Sequence, residues 1–251
     1  MELAIITGAS TGLGKEIAKK LIDKGIGVIS ISRRSNDALQ AYSEKRSVFY
    51  RSIETDLTQG EDVTHLIGQL NEMIKEKAVE SVYLINNAAM VEPIELGFEY
   101  ETRAIEDHLQ LNLASPMILT GALIRIANEA DLQLKVGNIS SGAAIRPISG
   151  WAAYCASKSA LNMYTETLAM DLKEAKLTHQ VFTFNPGVMD TDMQKTIRQS
   201  DEAAFSNVSQ FRTYKEKGHL QDPEYVATTF AKLLLEENIQ SGKFYQMSDY
   251  Q

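Results

Sequence analysis

Short apolar runs alternate along the whole chain with longer segments in which apolar residues recur at helical spacing. The runs predict strands at residues 3–7, 27–32, 47–52, 81–86, 135–140, 180–185 and 243–247. Helices are predicted between them, at about 12–24, 36–45, 60–77, 102–128, 151–175 and 223–236. Because such strands are apolar on both faces and separated by helices, the pattern indicates parallel pairing with right-handed crossovers. We therefore expect an α/β fold with a doubly wound, mostly parallel, seven-stranded sheet flanked by helices on both faces.

The domain organisation follows from the regularity of this alternation. No repeat, low-complexity tract or linker interrupts it, so residues 1–251 are predicted to form one domain. One segment, at about 189–220, is long and polar with scattered Met and Phe. A long excursion after the carboxyl end of a strand is typical of a lid over a ligand site. The alternative, a solvated helical hairpin without function, stays open.

Composition narrows the function classes. The formal net charge of −8 argues against binding to nucleic-acid phosphates or anionic membranes. Cys155 is the only cysteine, which excludes an intramolecular disulfide framework and a zinc cluster, and the scattered histidines show no metal-ligand spacing. The N-terminus does not resemble a signal peptide, and the most apolar window, 113–127, is shorter than the roughly 20 residues that a bilayer requires. We expect a cytoplasmic protein with neither nucleic-acid nor membrane partners.

The stretch TGASTGLG, residues 7–14, joins the first predicted strand to the first helix. Its three glycines allow a tight turn and a close approach of the backbone to a pyrophosphate, which then lies at the helix N-terminus. The spacing differs from the commoner G-x-G-x-x-G, but the position at the first strand-to-helix turn favours a dinucleotide site. The predicted cofactor contacts here are Gly8, Ser10, Thr11, Gly12, Leu13 and Gly14.

The end of the second predicted strand indicates which dinucleotide binds. An NAD site usually places an acidic residue about 20 positions after the glycines, whereas this strand ends with Ser32, Arg33 and Arg34. A guanidinium can bind a 2′-phosphate through charge-assisted hydrogen bonds. NADP(H) is therefore favoured over NAD(H), although two solvated surface arginines remain the alternative.

Two further strand ends are predicted to contact the cofactor. Asp56 and Leu57 follow the third strand, where an adenine ring would rest, although Asp56 could instead cap the next helix. Asn86 and Asn87 end the fourth strand and are expected to face the crevice, with the small Ala88 beside them. Asparagines at strand ends are also ordinary turn formers.

The predicted catalytic residues are Ser141, after the fifth strand, and the pair Tyr154 and Lys158 on the following helix. Residues four apart share a helix face, which places the ammonium beside the phenol. A positive charge about 4 Å away is worth around 4 kcal/mol at an effective dielectric near 20, enough to lower a phenol pKa by about 3. We therefore expect Lys158 to lower the pKa of Tyr154 toward neutral pH, where general acid catalysis is most effective. A buried phenol beside a lysine whose ammonium reaches solvent is the alternative.

These motifs resemble the short-chain dehydrogenase/reductase family in order and spacing over nearly the whole chain. The glycine loop, NNAA at 86–89, Asn112, the Ser141/Tyr154/Lys158 set and PGVMDT at 186–191 carry the resemblance. It implies a Rossmann-type fold with hydride transfer to a carbonyl, Tyr154 protonating the oxygen and Ser141 hydrogen-bonding it. It also implies that Lys158 holds the nicotinamide ribose and that Asn112 supports a water-linked proton path. Further cofactor contacts implied are Tyr154, Pro186, Gly187, Val188 and Thr191.

Within the family, residues 138–158 and 184–194 resemble most the sepiapterin reductases and the bacterial benzil reductases. Pterin-reducing members place an aspartate near the end of the last strand, where the simplest alignment puts Gln246, with Asp249 as the alternative after a shift. A neutral amide would bind a protonated guanidine-like edge less well than a carboxylate. The predicted function is therefore NADPH-dependent reduction of a small aromatic or vicinal diketone, with a pterin reductase or a non-catalytic NADPH-binding regulator as alternatives.

The substrate pocket and the assembly are the last predictions. The expected substrate contacts are Ser141, Trp151, Tyr154, Met189, Met193 and Gln246, with Phe205 as a further pocket wall. Apolar positions along 102–128 and 151–175 exceed what one sheet face requires. In the family the matching helices pack against a second subunit, which implies a homodimer or homotetramer.

Overall fold

Seven strands form one sheet in the computed structural model, which describes residues 1–236 and 239–250. Residues 237, 238 and 251 of the predicted domain lie outside the described residues. The strands are β1 (Glu2–Thr7), β2 (Gly27–Ser32), β3 (Tyr50–Glu54), β4 (Ser81–Asn86), β5 (Gln133–Ile139), β6 (Gln180–Asn185) and β7 (Phe244–Gln246). All neighbours pair in parallel, in the order β3-β2-β1-β4-β5-β6-β7. The predicted doubly wound fold is therefore confirmed.

The start of the third strand differs from the sequence prediction, which placed it at residue 47. Ser47 adopts a φ of 55°, and the Val48 N–H donates to the Ser43 carbonyl at 3.1 Å. Both features belong to the turn that ends the preceding helix. A residue in the left-handed region cannot continue a strand, so β3 begins only at Tyr50.

Helices cover both faces of the sheet, as predicted. They are α1 (Gly12–Ile22), α2 (Asp37–Glu44), α3 (Gly60–Glu76), α4 (Thr102–Leu109), α5 (Ser115–Glu129), α6 (Ala152–Glu174), α7 (Asp192–Arg198), α8 (Val208–Glu216) and α9 (Pro223–Leu235). Adjacent residues of β1 point to opposite faces: Ile6 packs in a core with Ile17 of α1 and Phe230 of α9. Ile5 packs in a second core that includes Leu66 of α3. Burial on both faces explains why the central strands are continuously apolar.

The segment predicted as one helix over 102–128 is interrupted. Residues Gln110–Ala114 form a π-helical turn between α4 and α5, with Asn112 buried inside it. By length and composition, the run Thr102–Glu129 could also cross a membrane, but half of its most apolar window is buried inside the fold. π turns occur often at functional sites, because they redirect backbone groups out of the regular helical pattern.

A crevice opens at the carboxyl edge of the sheet where the strand order changes direction. β2 and β3 lie on one side of β1, whereas β4 to β7 lie on the other. Ligands of open α/β sheets bind at such a switch point. The segment after β6 carries α7 and α8. Its two ends lie side by side, joined by an isolated parallel bridge between Met189 and Gln221. Every predicted motif that follows a strand therefore reaches this one edge.

Candidate active site

A cavity of about 800 Å³ occupies the crevice and is lined by the loops that follow β1 to β6. Most predicted site residues line it: Gly8, Ser10, Thr11, Gly12, Leu13, Ser32, Arg33, Arg34, Asp56, Leu57, Asn87, Ala88, Ser141, Trp151, Tyr154, Lys158, Pro186, Gly187, Val188, Met189, Thr191 and Met193. The fold thus brings the glycine loop, the paired arginines and the tyrosine–lysine pair into one space. Its size suits a dinucleotide with a small substrate beside it.

The glycine loop is held in a conformation that side chains would obstruct. Gly8 has a φ of 69°, and a Cβ there would lie 2.9 Å from the Ala88 Cα. A Cβ on Gly14 would collide with the Gly8 carbonyl, so Gly14 serves packing of the loop and lies outside the cavity lining. The N-cap Thr11 makes no side-chain cap bond, and the first turn of α1 has no acidic residue. Free N–H groups and the helix dipole there suit an anionic group.

The turn after β2 presents both arginines to the cavity. The Ser32 hydroxyl donates to the Arg34 carbonyl at 2.7 Å, which folds the turn. The Asn36 amide donates to the Ser10 carbonyl, also at 2.7 Å, and thereby ties this turn to the glycine loop. Within the described part of the chain, neither Arg33 nor Arg34 forms an ion pair. Both exposed guanidinium groups are therefore open to an anionic ligand.

Asp56 does not cap the following helix. Its Oδ1 accepts hydrogen bonds from the Thr58 N–H at 3.0 Å and from the Thr58 hydroxyl at 2.8 Å. This closes a local turn ahead of α3, whose N-cap is Gln59. Asp56 and Leu57 both remain at the cavity wall, in the place that the sequence predicted.

The two asparagines after β4 have different positions. Asn87 lines the cavity, and its amide donates to the Thr7 and Gly8 carbonyls at 2.9 and 3.1 Å. Asn86 points into the core instead, where its amide nitrogen donates to Asn138 Oδ1 at 2.8 Å and to Thr120 Oγ1 at 3.1 Å. The prediction that both asparagines face the crevice is therefore wrong for Asn86. Successive residues of a strand alternate faces, so only one of the two could face it.

Ser141, Tyr154 and Lys158 meet at the inner end of the cavity. Ser141 is the N-cap of a short 3₁₀ turn, where its oxygen accepts the Ala143 N–H at 3.1 Å and keeps its own proton available. Tyr154 and Lys158 are both buried. The Lys158 ammonium donates to the Ile139 carbonyl at 2.9 Å and lies 5.8 Å from the centre of the Tyr154 ring.

Burial dominates the ionisation of this pair. It raises the pKa of Tyr154 to about 12, with the Ser141 hydroxyl acting in the opposite direction. It also lowers the pKa of Lys158 to about 8. The expectation that Lys158 brings the pKa of Tyr154 down toward neutral pH is therefore wrong for the chain by itself. The penalty for burying either charge exceeds the attraction between them.

Asn112 lies behind the cavity wall and not in it. Its Oδ1 accepts the Met90 N–H at 2.9 Å, and its amide donates to the Met90 carbonyl at 2.7 Å. His108, one turn earlier, is also buried and lies 3.0 Å from the Asn112 amide nitrogen. The sequence analysis noted only that the histidines show no metal-ligand spacing, and assigned no role to this one. Its spacing of four residues from Asn112 was the available signal.

The cavity has an aromatic wall beside Tyr154, whose ring centre lies 5.4 Å from that of Trp151. Trp151 stacks on Phe205 with ring centres 4.8 Å apart, and Phe211 packs against both rings. Phe205 is fully buried behind Trp151, whereas Trp151 and Phe211 line the cavity. Arg146, Ile148, Gln194 and Phe211 are among the lining residues that the sequence analysis did not name. The first two lie between Ser141 and Trp151 and could have been inferred, but no sequence pattern marks the last two.

Gln246 does not belong to the cavity lining, contrary to prediction. Its Oε1 accepts from the Asn185 amide at 3.5 Å, and its backbone N–H donates to the Asp249 carboxylate at 3.1 Å. The last strand is short and ends in a 3₁₀ turn, Met247–Tyr250. This turn uses Asp249 as a local cap, so neither residue reaches the cavity.

The fold and the site together define an oxidoreductase with a nicotinamide cofactor, acting on carbonyl or CH–OH groups. The family model for short chain dehydrogenases matches residues 2–202, so the chain belongs to the short-chain dehydrogenase/reductase family. In the part of the chain that the structure describes, no group of three or more His, Cys, Asp or Glu residues could hold a metal ion. The match to the family model confirms the resemblance inferred from the motifs.

Individual relatives cover the full length of the chain. A benzil reductase ((S)-benzoin forming) of Bacillus cereus is 36% identical over 99% of this chain and 100% of its own. The sepiapterin reductase of Bos taurus is 29% identical over 96% of this chain and 92% of its own. A short chain dehydrogenase/reductase structure from Saccharomyces cerevisiae superposes with a TM-score of 0.82 at 26% identity, covering 98% of this chain and 96% of that one.

Proposed function

We propose that the protein is an NADPH-dependent carbonyl reductase that acts on small aromatic or vicinal diketones. The observation that carries the proposal is the convergence of Ser141, Tyr154 and Lys158 on one cavity that also has an aromatic wall. The similarity to benzil reductases over the full length supports the same substrate class. We propose that the reaction runs toward reduction because the preferred cofactor is NADPH.

The preference for NADPH rests on the turn after β2. Arg33 and Arg34 would bind a 2′-phosphate, since no carboxylate of the described chain pairs with them. The backbone at Gly8 and Gly12, both with positive φ, together with the N-terminus of α1, would hold the pyrophosphate. Pro186, Gly187, Val188 and Thr191 would hold the nicotinamide end. The neighbouring backbone leaves no room for a Cβ at Gly8, so the loop presents bare backbone to a ligand there.

The bound cofactor supplies the hydride, and the chain supplies the proton and the orientation. Tyr154 donates its phenolic proton to the carbonyl oxygen as the carbon receives the hydride, which gives the alcohol. Its raised pKa keeps the phenol in the donor form throughout neutral pH. Ser141 donates a hydrogen bond to the same oxygen, and the Lys158 ammonium stabilises the phenolate that forms. Asn112 and Lys158 then provide the route by which the proton is replaced.

The aromatic wall favours a flat, uncharged substrate. Trp151 and Phe211, with Met189 and Met193, present rings and thioethers that suit apolar faces. A pterin reductase is the second candidate, supported by the sepiapterin reductase relatives. It is disfavoured because Gln246 and Asp249 lie outside the cavity lining, so no carboxylate from the last strand can anchor a charged pterin edge.

We also propose the segment 189–220 as a lid over the substrate. Phe205 stacks on Trp151, and a Cβ on Gly150 would collide with the Phe205 ring at 3.0 Å, so the segment rests closely on the start of α6. Exposed Met117, Ile118 and Met163 on α5 and α6 support a homodimer or homotetramer built through these helices. Such an enzyme would work in the cytoplasm on a small-molecule substrate.

The test is NADPH oxidation with benzil, diacetyl and sepiapterin, run in parallel with NADH. We expect turnover of benzil with NADPH, and a decrease in kcat of about 10²- to 10⁴-fold in Tyr154→Phe with NADPH binding retained. Near-normal turnover by Tyr154→Phe would contradict the assigned acid. Tight NADPH binding without turnover of any carbonyl would favour a non-catalytic regulator, and turnover of sepiapterin alone would favour the pterin reductase.

A further inference from the structure

His108 lies directly behind the residues assigned to the chemistry. It is on α4, fully buried, and outside the cavity lining. Its ring meets the edge of the Tyr154 ring, with centres 6.2 Å apart. Its nitrogens contact three separate parts of the site: the Glu92 carbonyl, the Asn112 amide and the Ser157 hydroxyl.

The partners of His108 determine which ring nitrogen carries the proton. Nδ1 lies 2.6 Å from the Glu92 carbonyl, which can only accept, so Nδ1 must donate. The Met90 N–H requires an acceptor, which fixes Asn112 Oδ1 toward it and turns the Asn112 nitrogen toward His108 Nε2 at 3.0 Å. Nε2 must therefore accept. The neutral Nδ1–H tautomer satisfies the Glu92 carbonyl and the Asn112 amide, while the Ser157 hydroxyl gives its single proton to the Tyr154 carbonyl.

A second proton on His108 would oppose this arrangement. Nε2–H would then face the Asn112 N–H, donor against donor, and the Asn112 amide would lose its acceptor, although the Ser157 oxygen could accept the added proton. Burial is the larger cause that lowers the pKa of His108, and the Lys158 charge lowers it further, while the backbone and charge of Glu92 raise it. The ring therefore stays neutral beside the buried Lys158.

We propose that His108 is a positioning residue for the reaction proposed above. Through Nε2 it fixes the orientation of the Asn112 amide, and with it the π turn that contains Asn112. Nε2 also lies 3.0 Å from the Ser157 oxygen, and the Ser157 hydroxyl donates to the Tyr154 carbonyl at 3.0 Å, so this contact holds the π turn against the turn of α6 that carries Tyr154 and Lys158. The inference rests on the proposed function, because it is the alignment of Tyr154 and Lys158 that His108 serves.

The kinetic test compares two substitutions that separate shape from hydrogen bonding. His108→Phe keeps the ring volume and removes both nitrogens, whereas His108→Gln keeps an acceptor that can reach the Asn112 amide. The matched control is His179→Phe, since His179 is also buried and hydrogen-bonded, to Asn128 and the Leu134 N–H, but lies at the opposite edge of the sheet from the cavity.

We expect kcat for benzil to fall about 10- to 100-fold in His108→Phe, with KM and the NADPH Kd changed less than about twofold. His108→Gln should recover kcat to within about fivefold of the wild-type value. His179→Phe should lower Tm without changing kcat. A His108→Phe enzyme whose kcat is unchanged, or a His108→Gln enzyme no better than it, would overturn the inference.

A second measurement does not depend on turnover. In protein labelled with ¹⁵N-histidine and ¹⁵N-asparagine, the four histidines give the ring signals, and His108 is assigned by its loss in His108→Gln. We expect a neutral Nδ1–H tautomer at neutral pH, and an Asn112 side-chain amide signal that shifts in His108→Phe but not in His179→Phe. An Nε2–H tautomer, an imidazolium, or an unshifted Asn112 amide refutes the positioning role. Wild-type enzyme that reduces no carbonyl refutes the proposed function separately.

Discussion

The cofactor half and the substrate half of the cavity differ in the groups that form their surfaces. The cofactor half comprises the loops after β1, β2 and β3, where backbone groups and short polar side chains define the surface. The substrate half comprises the wall from Arg146 to Trp151 and the helices α7 and α8, where aromatic rings and long side chains define it. A surface made of backbone requires glycines and caps at fixed places, whereas a surface made of side chains can be assembled from many sequences. The residues of the cofactor half can therefore be predicted from the sequence, whereas those of the substrate half cannot.

The largest expected effect tests whether the cofactor half depends on bare backbone. Gly8→Ala and Gly25→Ala both place a side chain at positive φ, at 69° and 78°, which costs about 1–2 kcal/mol of unfolding free energy in each. Only Gly8 has a neighbour in the way, the Ala88 Cα at 2.9 Å, whereas nothing lies within 4 Å of a Cβ on Gly25. We expect Gly8→Ala to weaken NADPH binding by at least about 100-fold in a fluorescence titration.

Gly25→Ala is the control for that experiment, and urea unfolding gives the stability of both variants. It should bind NADPH like the wild type. Equal NADPH affinities in the two variants would mean that the close approach at Gly8 does not matter, and the contrast between the two halves would lose its basis.

The next effect tests the only part of the cofactor half that uses long charged side chains. Replacing both Arg33 and Arg34 by alanine should raise the Kd for NADPH about 10- to 100-fold, because charge-assisted hydrogen bonds to a phosphate are lost. The Kd for NADH should change less than about twofold. Arg51→Ala, an exposed arginine of β3 outside the cavity lining, is the control. If NADPH and NADH weaken equally, the arginines do not select the cofactor.

A smaller effect is expected in the substrate half. Phe211→Leu removes part of the aromatic wall and should raise KM for benzil about threefold to tenfold, with the KM for diacetyl nearly unchanged. Phe230→Leu, in the core where α9 packs on Phe182 and Phe184 of β6, is the matched control for lost packing. It should lower Tm without altering the ratio of the two KM values. A parallel rise for both substrates in Phe211→Leu would show that ring contact does not set the preference.

The last effect is on stability and concerns Lys158, which both halves share. Its pKa is lowered from 10.5 to about 8, so between these values the unfolded chain binds more protons than the folded one, and stability rises with pH. From about pH 8 to pH 9.5 the cofactor-free wild type should gain roughly 2 kcal/mol relative to Lys158→Met in urea unfolding. Tyr154, whose pKa is raised from 10.0, opposes this gain only above pH 10. Lys173→Met, exposed on the same helix, should behave like the wild type.

Most of the fold follows from the hydrophobic pattern, because each strand buried on both faces reads as one continuous apolar run. The exceptions are local. Ser47 ends a turn by adopting a left-handed conformation, and the π turn around Asn112 leaves the apolar spacing almost unchanged. Neither is visible in periodicity: the turn at Ser47 closes through a hydrogen bond from Val48 to Ser43, and the π turn is held by the bonds of Asn112 to Met90, 22 residues away.

The candidate site divides in the same way. Gly8, Arg33 and Tyr154 were predictable, because turn geometry and helix spacing restrict the residue types there. Phe211 was not, since it reaches the cavity only through the packing of α8 on Trp151. The error at Asn86 has a simple cause: neighbouring residues at the end of a strand face opposite ways, so a pair of identical residues carries two different functions.

The inward-facing Asn86 also bears on how accurately the chain folds. It pairs with Asn138 across β4 and β5, and Asn138 in turn donates to Thr165 of α6 at 2.9 Å. A sheet of interchangeable Val, Leu and Ile residues has little to distinguish one alignment of its strands from the next. A slip of one residue between these strands would leave buried amides unpaired, at about 1–3 kcal/mol for each group. Asn86 thus favours the correct register of β4 and β5, and this register places Asn87 and Ser141 together at the carboxyl edge of the sheet.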